Sequence, residues 1–168
     1  LFDMRVGARN ELIRISNIKS SQIIGDYDFG QLDNDFMTAF AEGRADTFDD
    51  GYFPNYGFTA GVSYGWTFGG FPHGFNNFHT VTADAKVVVP AGNVFAFIPS
   101  FNARFLFGNA IPVAYFNAMG GSMPGRYVDQ QMPFIGVNNL SAMKNILTVF
   151  RTDCRFKVVK NHYVTAIF

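Results

Sequence analysis

From Gly57 to Gly70 the chain reads GFTAGVSYGWTFGG, in which Phe58, Ala60, Val62, Tyr64, Trp66 and Phe68 alternate with Thr59, Gly61, Ser63, Gly65 and Thr67. A two-residue period places the two sets on opposite faces of a β-strand. The small face carries no Lys, Glu or Asp, as a strand turned toward bulk water would. The bulky face is therefore predicted to meet lipid and the small face an enclosed interior. The same alternation sets Phe95, Phe97, Phe101, Ala103, Phe105 and Phe107 against Ala96, Ser100, Asn102 and Arg104. Further on, Thr148, Phe150, Thr152, Cys154, Phe156 and Val158 point outward, leaving Arg151, Asp153, Arg155 and Lys157 inward. A charge row of that kind is tolerated only in a wet or paired interior.

Eight strands are predicted, over 3–15, 36–48, 57–69, 79–89, 94–107, 126–136, 145–158 and 162–168. Pro90-Ala91-Gly92-Asn93 signals a tight hairpin, whereas the connections over 17–35, 70–78 and 108–125 are longer and rich in Gly or Asn. With the short connections periplasmic, the first strand rises from the periplasm and the last returns to it, so both ends lie on that side. Two features strain this order. Val159-Lys160-Asn161 becomes a short extracellular turn, and Pro99 removes a ladder donor in mid-strand, which marks a bulge or an edge. Phe168 ends the last strand on an aromatic, with Val164 and Ala166 on its face, as folded outer-membrane barrels commonly do.

Composition points the same way. Charged residues make up 15% of the chain, against roughly 25% for a soluble domain, while 21 of the 168 residues are Phe. The lumen of a small soluble barrel could not hold so many rings, and its outside would need charge. A net charge of zero and the absence of a basic tract give no sign of a nucleic-acid partner. No apolar run approaches the ~18 residues of a membrane helix, and strands of ~9–11 residues are the other way across. The single Cys154 forms no internal disulfide, and a start at Leu1 without a signal peptide suggests a mature product or an excised piece. The expectation is one domain over residues 1–168. It is all-β, an antiparallel transmembrane β-barrel of about eight strands, or the C-terminal half of a larger barrel. A half-barrel would leave edges unpaired in lipid, so it would have to form a homodimer or gain strands from elsewhere.

Gly61-Val62-Ser63-Tyr64-Gly65 matches the G-x-S-x-G nucleophile elbow, which needs a strand to end sharply at the serine. Here the alternation runs straight through Ser63 to Phe68, so the motif reads as a coincidence of a lumen-facing serine between two glycines. His73, His79 and His162 lack metal-site spacing. Glu42, Asp46, Asp84 and Asp153 are interleaved with Arg44, Lys86, Arg104, Arg151 and Arg155, the pattern of a structural ion network inside a barrel and not of an acid–base pair. No catalytic residue, metal or cofactor is expected.

The segment Met119–Gly136, MGGSMPGRYVDQQMPFIG, is the most specific in the chain. Its Gly-Gly, followed by an arginine beside a glycine and an aromatic before a late strand, resembles the inward-folded loop of the bacterial surface antigen barrels, which assemble outer-membrane proteins or secrete partner proteins. The usual order there is Arg-Gly-aromatic, where this chain has Gly125-Arg126-Tyr127. The wider string, from Gly125 through Gln130-Gln131 and Pro133-Phe134 to Gly136, with Arg151–Phe156 and Lys160-Asn161-His162-Tyr163, is similar to the C-terminal barrel of patatin-like phospholipases of Bacteroidetes. The resemblance implies that Arg126, with Tyr127 beside it, reaches into the lumen to a wall carboxylate, for which Asp84 and Asp153 are the candidates. It also implies that any lipase chemistry belongs to an upstream domain. The implied setting is the bacterial outer membrane, with its lipid and its assembly machinery as partners. The implied task is to anchor, and to export or display, an N-terminal patatin-like passenger. A small channel and an adhesin-like barrel binding through its extracellular loops are the alternatives.

Overall fold

The computed structural model describes residues 1–15, 32–71, 75–120, 130–132, 134, 137, 142–159 and 162–168. Five long strands come first: β1 (Phe2–Ile15), β2 (Leu32–Asp46), β3 (Gly57–Phe71), β4 (Asn76–Ala91) and β5 (Phe95–Asn109). A 3₁₀ turn at Val113–Tyr115 leads to three short strands, β6 (Asn117–Met119), β7 (Gln131–Met132) and β8 (Ala142–Lys144). The chain then continues into β9 (Ile146–Val159) and β10 (His162–Ile167). The short strands form a separate patch in the order β7-β6-β8, and the others form one antiparallel sheet in the order β1-β2-β3-β4-β5-β9-β10. The sheet is open, with β1 and β10 at its edges.

Among the described residues the wall has seven strands, where about eight were expected. β5 pairs directly with β9, from Phe95 opposite Phe156 to Phe105 opposite Ile146, so no strand stands between them. Within the range 126–136 Gln131–Met132 joins the small patch, pairing in parallel with Ala118–Met119. The remainder, apart from Gln130 and Phe134, lies outside the described residues. The direct pairing also corrects the expected orientation. The connections 47–56 and 92–94 and the strand ends Val159 and His162 now share one end of the sheet, here the lower end, where Leu1 O accepts a hydrogen bond from Asp46 N at 2.8 Å. Ile15, Leu32, Phe71, Asn76, Asn109 and Ile146 mark the upper end. Val159 and His162 thus lie with the Pro90 hairpin on one side, and β10 runs away from the end at which β1 starts.

The registers place the rings as the alternation requires. One outward row crosses the sheet from Ala39 through Trp66 and His79 to Phe107, and another from Ala45 through Ala60 and Ala85 to Phe101 and Phe150. Trp66 and Phe101 keep 42% and 41% of their surface, whereas Thr67, on the other face of β3, keeps 2%. The outward polar tips are satisfied by one another. Trp66 Nε1 donates to Asn77 Oδ1 at 2.7 Å, and Tyr64 Oη lies 2.7 Å from His79 Nδ1, with the imidazole stacked on Phe107 at 5.2 Å. Such pairing lets amphipathic rings sit against lipid without leaving a donor unmet. On the inward face Thr38 and Thr67 share a hydroxyl hydrogen bond of 2.8 Å.

Pro99 marks neither an edge nor a shift of register. The β4–β5 ladder drops out at Val87 and Val88 and resumes at Val89 opposite Phe97 in the same register, so the missing donor costs a local gap only. The inward side of β5 is also less polar than the sequence suggested, since Ile98 and Leu106 are buried there. Each belongs to one of two apolar clusters. Phe36, Phe78, Leu106 and Tyr115 pack together toward the upper end, and Val88, Ala96 and Ile98 with Phe48 toward the lower end. Both clusters include a residue from a connection, Tyr115 or Phe48, so the concave side is filled by chain folded in from each end.

Candidate functional site

The upper filling is built on Tyr115. Its ring meets Phe36 edge-on at 5.4 Å and Phe78 at 4.8 Å, and its hydroxyl donates to Glu11 Oε2 at 2.7 Å. Glu11 is held in turn by Arg9, with Nε 2.5 Å from Oε1. Burial first, and then the hydrogen bond to the Glu11 carboxylate, push the Tyr115 phenol well above its ordinary pKa. From β5, Arg104 donates to Tyr115 O at 3.0 Å and to Asn117 Oδ1. Asn117 is fully buried and returns its amide to Arg104 O at 3.0 Å and to Asn145 O at 2.9 Å. One short segment thereby links β1 to β5 across three intervening strands. A link that bypasses β2, β3 and β4 requires the sheet to curl toward its polar side.

The lower filling is the connection 47–56. Thr47 Oγ1 accepts Phe58 N at 2.9 Å, and Asp46 Oδ1 accepts Phe48 N at 2.9 Å. Asp49 accepts Asn55 N at 2.7 Å and its side-chain amide at 3.1 Å. Asp50 accepts the amides of Tyr52 and Phe53 at 2.7 and 2.9 Å. The backbone donors of Phe53 and then Tyr52 hold the Asp50 carboxyl below the usual carboxylate range. The loop so shaped reaches the far strands. Pro54 O accepts a hydrogen bond from Arg155, and Phe53 stacks on Tyr163 at 5.2 Å.

The predicted site residues are distributed unevenly over this frame. Asp153 is gripped by Arg151 through two hydrogen bonds of 2.6 and 2.7 Å, so it is already neutralised by its own strand. Asp84 lies over Gly61, where a Cβ would come within 2.7 Å of its Oδ1, and it lines a hollow with Arg5, Glu42 and Arg44. Arg126 and Tyr127 lie outside the described residues, as does His73. Arg104 donates to Tyr115 O and Asn117 Oδ1, and Arg155 donates to Pro54 O and lies over the ring of Tyr163 at 5.2 Å. Arg5, which was not singled out, pairs with Asp3 at 3.0 Å and with Glu42 at 3.5 Å. Ser63 stands mid-strand between Glu42 and Thr82, so the chain makes no elbow there. Tyr115, Asn117 and Glu11 were missed. Glu11 falls on the inward parity of β1, but nothing in the run Ile111–Asn117 signals that it docks under β2 and β4.

Among the described residues no group of three or more His, Cys, Asp or Glu could hold a metal ion. No helix is long and apolar enough to cross a membrane, which says nothing of strands. Comparisons with curated proteins and with solved structures returned no match. A family model described as the OMP85 superfamily matches residues 1–168. Members of that superfamily are bacterial outer-membrane β-barrels and are generally not enzymes. The outward rings, the open antiparallel wall and the whole-length match agree, and the chain belongs to the OMP85 superfamily.

Proposed function

We propose that this chain is a section of an outer-membrane barrel wall that anchors an N-terminal passenger, of the patatin-like kind, and takes part in its export or display. The observation that carries the reading is a ring-bearing outer face combined with a concave face filled from both ends. A wall filled in this way, with Tyr115, Asn117 and Arg155 buried against it, favours an anchor over an open channel. Of the two lumen carboxylates available to Arg126, Asp84 is favoured, because Arg151 already holds Asp153. The edge directions favour completion of the barrel by further strands over a homodimer. β1 and β10 run in the same direction, so two copies related about the membrane normal would meet at parallel seams in an otherwise antiparallel wall.

The test is surface display in a Gram-negative host. The gene is expressed with its natural upstream sequence, and a tagged passenger is followed by protease shaving of intact cells. Passenger that becomes protease-accessible only when residues 1–168 are present supports the reading. Stable, specific ion conductance by the purified protein in planar bilayers, with no passenger upstream, would replace it with the channel.

A further inference from the structure

At the lower mouth of the concavity lies a cavity of about 500 Å³, lined in part by Asn55, Tyr56, Asn93, Arg155, Lys157 and Tyr163. These residues come from the β2–β3 connection, the β4–β5 hairpin, β9 and β10. No Asp or Glu lines it. Arg155 keeps only 7% of its surface, and its contacts are a hydrogen bond to Pro54 O and the Tyr163 ring. A guanidinium has five donors, and Arg155, which lines the cavity, commits one nitrogen to Pro54 O. Lys157 stands two residues along on the same inward face, and among the described residues neither cation has a carboxylate partner. Asp153, the acid on this strand, is committed to Arg151. Burying a guanidinium without a counter-charge is costly. A pocket that sets this buried guanidinium beside the exposed Lys157, with no acid in its lining, is therefore shaped for an anion from outside it.

We propose that this cavity is an anion-binding site that takes the carboxylate of an acidic side chain on a polypeptide segment presented at the lower mouth. The planar fork of Arg155 matches a carboxylate with two parallel hydrogen bonds, and Lys157 adds the second charge. The rest of the lining decides for a peptide over a bare oxyanion. The rings of Tyr56, Phe95 and Tyr163 and the amides of Asn55 and Asn93 give a side chain and its backbone both apolar and hydrogen-bonding surface, in a volume far larger than one small anion fills. The inference does not depend on which passenger the barrel carries.

The experiment uses the full chain refolded in detergent micelles, where both mouths are open to solution. A hexapeptide with one central glutamate and a neutral dye is compared with its glutamine twin by fluorescence anisotropy at low salt. The glutamate peptide is expected to bind about tenfold more tightly, Arg155→Gln to abolish the difference, and Lys157→Gln to reduce it. Equal binding of the two peptides to the unaltered chain would overturn the proposal, as would a preference that survives in both variants. Displacement by inorganic phosphate, at an ionic strength where acetate leaves the peptide bound, would reassign the cavity to a phosphate ligand and also overturn it. Should Arg155→Gln not refold, as judged by electrophoretic mobility of unheated samples, the peptide pair and Lys157→Gln decide between the same outcomes.

Discussion

Tyr115 is the residue on which the upper filling turns, and its two contributions can be separated. Tyr115→Phe keeps the ring between Phe36 and Phe78 and removes only the 2.7 Å hydrogen bond to Glu11. A hydrogen bond to a charged acceptor contributes roughly 1.5–3 kcal/mol. The low end applies here, because Glu11 keeps Arg9 as a partner. Tyr115→Ala removes the ring as well and leaves a hollow beside Leu106, for which losses of about 3–5 kcal/mol are usual. Trp66, the single tryptophan, sits on the outer face away from this cluster and reports unfolding by its emission as denaturant is raised in micelles. The coupling is tested with Glu11→Gln, alone and combined with Tyr115→Phe, where a shared interaction gives at least about 0.5 kcal/mol of non-additivity. Alkaline pH supplies an independent reading. The folded phenol has its pKa raised, so its contribution is fully present below about pH 10, the unfolded value, and is lost as pH rises beyond it. Tyr115→Phe should remove that part of the alkaline loss. A Tyr115→Ala variant within about 0.5 kcal/mol of the unaltered chain, or one no weaker than Tyr115→Phe, would refute the docking of this segment.

Three further outcomes follow from other parts of the molecule. Lipids brominated on their acyl chains should quench Trp66 emission in vesicles, whereas aqueous iodide should not; the reverse pattern would place the ring face away from the bilayer. Gly108→Ala should lower the denaturant midpoint strongly and Gly43→Ala little. At Gly108 φ is +138° and a Cβ would lie 2.6 Å from Asn77 O and Phe78 Cα, while at Gly43 nothing lies within 4 Å. Asp50→Asn should loosen the lower connection, seen as faster proteolysis there. Because the folded Asp50 carboxyl is held low, the protection it gives is present above the unfolded value near pH 4 and is lost as pH falls below it, so the variant and the unaltered chain should converge in acid.

The sequence by itself determined which side of the wall is which. A period of two is the geometry of the pleat, so Phe58 to Phe68 on one parity and Thr59 to Thr67 on the other could face only opposite ways, and the lack of charge on either parity left lipid as the solvent of the rings. Most strand positions were legible for the same reason. Strand order was not, because alternation does not say which strands are neighbours, and only the registers show that β5 pairs directly with β9. The direction of β10 then followed from counting strands. The filling of the concavity was decided wholly by tertiary structure. Tyr115 meets Glu11 from 104 residues away and Arg155 meets Pro54 from 101, and such contacts depend on how far the sheet curls, a property of all seven strands together. The same holds for the charges of β9, where Arg151 grips Asp153 and Arg155 lines a cavity without an acid in its lining.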